Sequence, residues 1–274
     1  MNQTSATKAP RVLLIASIVA SVLSICIRSI FTVTLLDTNY GVYVQESMLP
    51  TVFHAALAVI CAAMAAYAII SVKGGNADYF AKSGIFHTFA SFVCGFLLAA
   101  DILIELFKIA TEAISPNKFD VLEIIFALPA VIFFICIAIK PQKASAALTL
   151  TSFFPIAWCA VCLIRIYFDT TVLMTSPNKI LGQIALLSAM IFFLTESRML
   201  VSNFSHKFFL AAASVAPVLL LTSGVPGIIF ADKLSIGTSD SIIRCAVEVA
   251  FALFIYARLA AYVKHSENQD SIDK

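Results

Sequence analysis

Residues 83–110 read SGIFHTFASFVCGFLLAADILIELFKIA. A stretch of this length and apolarity crosses the hydrocarbon core of a bilayer as one helix, which takes roughly 20 residues. The same stretch carries polar groups in helical register. His87, Cys94, Asp101 and Lys108 recur every seven residues, and Glu105 lies one turn from both Asp101 and Lys108, so a helix gathers them on a single stripe. A charge facing lipid at mid-bilayer costs about 2.5 kcal/mol or more. The stripe is therefore expected to face other helices, and the segment predicts both a membrane crossing and a bundle around it.

The rest of the chain repeats the pattern. Apolar segments at 12–36, 51–72, 83–110, 121–140, 146–168, 178–202, 208–230 and 241–263 alternate with short polar connections. Hydrophobic residues make up 61% of the 274 and charged residues 12%, about half the charge of a soluble domain, and the mean hydropathy is +0.97. The expected fold is all-α, a polytopic transmembrane bundle of about eight helices in antiparallel succession. A tail at 1–11, a single membrane domain at 12–263 and a disordered polar tail at 264–274 complete it. Lys8 and Arg11 flank the first segment as in a signal peptide, but Arg28 interrupts it and no small-residue cleavage site follows, so it reads as a retained anchor.

Basic residues set the orientation, because short loops rich in Lys and Arg resist translocation. With the amino terminus cytoplasmic, that side holds Lys8, Arg11, Lys73, Lys82, Lys140, Lys143, Arg198, Lys207, Arg258, Lys264 and Lys274. The opposite side holds only Lys118, Lys179 and Lys233. An even number of crossings then leaves both termini in the cytoplasm, and the minimal loops point to a plasma membrane, the bacterial inner membrane. The glycosylation triplets at Asn2 and Asn203 fall on the cytoplasmic side, where they have no consequence.

Ser115-Pro116-Asn117-Lys118 recurs as Ser176-Pro177-Asn178-Lys179 at the start of a later apolar segment. Serine suits a helix N-cap, and proline at the first helical position gives up an amide that has no partner there. Pro50 and Ser239-Asp240 occupy comparable places, which fits four repeated helical hairpins; convergence of short turns on the same residues explains the match equally well.

Candidate functional residues are the ionisable groups inside the apolar segments. Arg28, Asp101, Glu105, Lys108, Arg165, Arg244 and Glu248 all fall in the outer halves of their helices at similar depth. One reading makes them a ligand-binding cluster: the arginines hold a small polar or anionic solute and the acids position them or relay protons. Four bases against three acids leave one positive charge for such a ligand. The competing reading makes them structural, with Arg28 paired to Asp101 or Glu105 and Arg244 to Glu248, fixing which helix packs beside which. Gly224, Pro226 and Gly227, with Pro217 earlier in the same segment, predict a kinked or unwound helix of the kind that exposes backbone polar groups in transporters. Pro129 and Pro155 predict kinks in segments four and five.

The seven cysteines all lie in apolar segments, which predicts no disulfide framework. Cys159 and Cys162 have dithiol spacing with Arg165 one turn on, the basis of a further alternative, a membrane thiol-disulfide oxidoreductase. No loop-borne cysteine pair accompanies them. His54 and His87 are expected roughly 20 Å apart, too far to share a metal, while His206 and His265 fall in polar cytoplasmic segments. Glu196, Arg198 and Arg258 are expected to be snorkelling anchors at the cytoplasmic interface. No phosphate-binding glycine loop, nucleophile elbow or zinc-protease signature is present, so no enzyme, metal or cofactor is expected. Scattered basic residues and a net charge of +2 exclude a nucleic-acid footprint. The functional expectation is a small-solute transporter or ligand-binding membrane subunit in contact with the lipid bilayer. Its alternative is a scaffold or accessory subunit docking another membrane protein.

Overall fold

The computed structural model describes residues 8–37, 42–43, 48–72, 84–111, 118–139, 146–169, 176–201, 205–231 and 242–272. Its helices are α1 (Lys8–Thr34), α2 (Leu49–Ser71), α3 (Ile85–Thr111), α4 (Lys118–Ile139), α5 (Ala146–Thr151), α6 (Phe154–Phe168), α7 (Pro177–Leu200), α8 (His206–Ile229) and α9 (Ile242–Ile272). Among the described residues seven spans are long and apolar enough to cross a membrane, against about eight expected, with α5 and α6 serving together as one of them. The chain is a multi-pass membrane protein. Isoleucine, leucine, valine and phenylalanine side chains cover its outer surface, among them Val19, Val22, Ile30, Phe96, Leu103 and Ile191, which suits lipid and not water.

Pro155 interrupts its segment as expected, and three other local features depart from expectation. The fifth segment is interrupted at Ser152-Phe153, because Pro155 has no N–H to offer the carbonyl of Thr151; at the break the Ser197 hydroxyl of α7 donates to the neighbouring Ser152 O at 3.1 Å. α4, by contrast, runs unbroken through Pro129. The segment from Lys264, expected to lack structure, continues α9 to Ile272, since extending a packed helix through Glu, Asn and Gln avoids the cost of nucleation. Between α1 and α2, a short antiparallel pair joins Leu36–Asp37 (β1) to Val42–Tyr43 (β2). Ser115-Pro116-Asn117, Lys233, Asn203 and Ser239-Asp240 lie outside the described residues.

The helices α3, α4, α6, α7, α8 and α9 pack in a closed circuit in that order, and α1 and α2 lie against α8. Consecutive helices form hairpins α1–α2, α3–α4, α6–α7 and α8–α9. Ser17 meets Ser214 and Ser24 meets Thr222, so α1 is parallel to α8; Gly227 faces Cys245 while Gly224 faces Val249, so α8 and α9 are antiparallel. The start of α1 and the end of α9 therefore share one end of the bundle. At mid-depth the interior is aromatic: Phe134 lies 5.8 Å from Phe193, 5.6 Å from Phe251 and 5.3 Å from Phe254, and Trp158 packs on Phe251 at 5.6 Å.

The expected break at Gly224, Pro226 and Gly227 does not occur, because α8 stays helical to Ile229. The glycines instead let α9 approach closely, the usual role of small residues where helices meet in a membrane. A Cβ at Gly224 would sit 2.8 Å from Cys245 O, and one at Gly227 would sit 2.5 Å from Cys245 Sγ. Gly227→Ala is expected to destabilise the protein by about 1–3 kcal/mol through overpacking. Adding Cys245→Ala recovers much of that loss, as the obstruction is a side-chain sulfur. Gly224→Ala meets a backbone oxygen and has no such rescue. Thermal unfolding of the four variants in detergent checks the pattern, and equal losses with and without Cys245 would refute it.

Candidate functional site

Four helices bring their charges together at the end of the bundle remote from the start of α1. The α3 stripe places Asp101 and Glu105 inside, 1% and 3% exposed, and leaves Lys108 at the rim, where it donates to Glu105 Oε1 at 3.1 Å. The centre of the assembly is Glu123 of α4. Its Oε2 accepts from Arg165 Nη1 of α6 at 2.7 Å, and its Oε1 accepts from Arg244 Nη2 of α9 at 2.8 Å. The Cys162 thiol donates to the same Oε1 at 3.4 Å. Arg165 also reaches Asp120 at 3.1 Å and Glu105 at 3.7 Å, and Arg244 lies 3.9 Å from Glu105.

Asp120 and Glu123 were not among the expected site residues. Both stand in the first turns of α4, where charges read as flanking residues. The available signal is register: Glu123, Ala127, Ala130 and Phe134 follow one another on one face, and all are buried. Including them reverses the expected charge balance. Among the described residues Asp101, Glu105, Asp120 and Glu123 face Lys108, Arg165 and Arg244, leaving one negative charge in excess where a positive one was expected. Asp101 lies within electrostatic range of Arg244, Glu123, Glu105 and Arg165, yet its Oδ1 is buried without a hydrogen-bond partner.

Arg28 belongs to a different network. It forms no pair with Asp101 or Glu105; it donates to Thr222 O of α8 and, at 2.8 Å, to Asn178 Oδ1 of α7. The first contact follows from Pro226, which lacks the N–H that would otherwise occupy Thr222 O four residues back. Ser17, Ser21 and Ser24 continue this polar face along α1, joined to Ser214 O, the Tyr256 hydroxyl and the Thr222 hydroxyl at 2.6–3.1 Å. Glu248 is buried within electrostatic reach of Arg28. Above this face Tyr43 of β2 packs edge-on against Phe31 at 6.3 Å; burial pushes its phenol up, and the nearby Arg28 partly opposes that shift. Ser176 occupies the α7 N-cap without a side-chain capping bond, and Lys179, expected in an outer loop, is buried with Nζ donating to Asp169 O at 2.5 Å.

A second ionic layer lies beyond the aromatic core. Glu196 and Arg258 are not surface anchors: both are buried, and they pair at 2.6 Å between α7 and α9. Lipid snorkelling is unavailable to them because their positions on both helices face the interior; Arg198, two residues away, is exposed. His87 is buried nearby with its ring 5.3 Å from Phe254 and no hydrogen-bond partner on either ring nitrogen. At this end Tyr262 bonds His206 at 2.7 Å, while His54, in α2, bonds Pro50 O at 2.5 Å. Among the described residues no three His, Cys, Asp or Glu side chains gather as a metal centre requires. The seven cysteines are free thiols, and Cys159 and Cys162 are fully buried. Arg165, expected beside those thiols, is directed to Glu123 and Asp120.

The chain matches no protein-family model, no curated protein sequence and no solved structure.

Proposed function

We propose that this multi-pass membrane protein is a small-solute transporter or ligand-binding membrane subunit whose site is the α3–α4–α6–α9 charge cluster. The observation that carries this reading is the convergence of seven ionisable side chains from four helices, with two of them open at the rim. Lys108 is 38% exposed and Asp120 20%, so a solute reaches the cluster without first breaking the Glu123 pairs. A small polar or anionic solute docks on Lys108 and Arg165, whose donors match carboxylate or phosphate oxygens. In this reading the protein resides in a plasma membrane, the bacterial inner membrane, with both termini cytoplasmic. Its basic residues favour that orientation even with the buried Arg258 and Lys179 set aside.

A scaffold or accessory role is the second reading, favoured by the full engagement of Glu123 with Arg165 and Arg244. Conservative changes at the rim separate the two, since partly exposed pairs contribute only about 0–1 kcal/mol. Lys108→Gln and Asp120→Asn are expected to leave the melting temperature of the purified protein nearly unchanged. A bound solute raises that temperature by mass action. Acetate, glycine and methylammonium at matched ionic strength sample the charge classes. A rise with one of them, lost in both variants, supports a ligand site; no rise with any of them favours the scaffold.

A further inference from the structure

Among the described residues the cluster holds one more carboxylate than it has cations to match, and the geometry singles out which one. Arg165 and Arg244 both direct their short bonds to Glu123, and Lys108 bonds Glu105. Asp101 sits one turn deeper on α3, 1% exposed, with Oδ1 unpartnered. Facing it are Glu123 from α4, Arg244 from α9, Arg165 from α6 and Glu105 on its own helix. An isolated carboxylate in so dry a place is costly unless its charge is neutralised.

We propose that Asp101 is a proton-binding site, loaded from water at the rim through Asp120 and the Arg165-bridged carboxylates. A proton fits better than a metal ion, because an alkali or alkaline-earth ion requires several oxygen ligands, whereas both Glu123 oxygens are taken by Arg165 and Arg244 and Glu105 Oε1 by Lys108. Loading makes the cluster neutral and lowers the electrostatic barrier to an anionic solute at Lys108. The inference rests on the ligand-site reading above for its role, though not for its chemistry.

The test is infrared spectroscopy of the full-length protein in lipid vesicles across mildly acidic to mildly alkaline pH. The expected result is the C=O stretch of a protonated carboxylic acid at mildly acidic pH, lost towards alkaline pH, shifted down in heavy water and insensitive to exchanging sodium for N-methylglucamine. The band is lost in Asp101→Asn and retained in Lys108→Gln. If Asp101→Asn does not fold, Asp101→Glu serves in its place, and a shifted band assigns the site. Absence of the band at every pH, its persistence in Asp101→Asn, or a carboxylate signal that follows sodium overturns the proposal. A protonated band with no solute-dependent melting shift retains the proton site and defeats only the transport reading.

Discussion

Glu123→Ala is expected to lower unfolding stability by about 3–5 kcal/mol, the usual cost of removing one partner from a buried ion pair. The loss has a specific origin. Glu123 accepts from Arg165 at 2.7 Å and from Arg244 at 2.8 Å, so its removal takes the short acceptor from two guanidinium groups of α6 and α9 and leaves a cavity between them, with Asp120 still 3.1 Å from Arg165. Glu105 compensates only in part, at 3.7 Å from one and 3.9 Å from the other. Glu123→Gln keeps the shape and one acceptor but loses the charge, and falls between wild type and alanine. Adding Arg244→Gln to Glu123→Gln restores part of the loss because the amide left at 123 no longer faces the guanidinium it bonded at 2.8 Å as a carboxylate. Denaturant unfolding in detergent reads these differences. A drop below about 1 kcal/mol would mean that the pairs are screened as surface pairs are, and the buried-cluster description would fail.

Arg258→Ala is the second large effect, again about 3–5 kcal/mol, since it strands Glu196 in an apolar interior. The expected contrast is sharper here. The two side chains meet at 2.6 Å between α7 and α9, so replacing both partners with apolar residues of similar size, Glu196→Leu with Arg258→Met, should cost far less than Arg258→Ala. Glu196 and Glu123 lie in layers separated by the Phe134, Phe193 and Phe251 packing, so their losses should add when combined, as distant sites do. A double Leu/Met variant as unstable as Arg258→Ala would assign the pair a role beyond mutual neutralisation, such as ordering the neighbouring His87.

The charge balance shows where reading along the chain ran out. Arg28, Arg165 and Arg244 stand out because each interrupts an apolar run, and helical register correctly turns Asp101 and Glu105 inward. Glu123 is equally intramembrane, but its place near the start of α4 makes it look like a flanking charge. Without it the cluster seems to need an anion; with it and Asp120, the cluster carries an excess carboxylate. Likewise, Pro226 announces a lost backbone hydrogen bond, and only the neighbouring α1 shows that Arg28 fills it while the helix continues.

Repeated membrane crossing, hairpin order and the inward turn of the α3 stripe are local matters, set by segment length against bilayer thickness and by the cost of exposing charge to lipid, so residue order alone specified them. Which arginine meets which carboxylate is not local. Lipid tails favour no particular pairing of apolar helices, and the choice among partners on α3, α4, α6 and α9 rests on close approach at small residues such as Gly224 and Gly227 and on distances of a few tenths of an ångström. Those quantities exist only once the helices are packed.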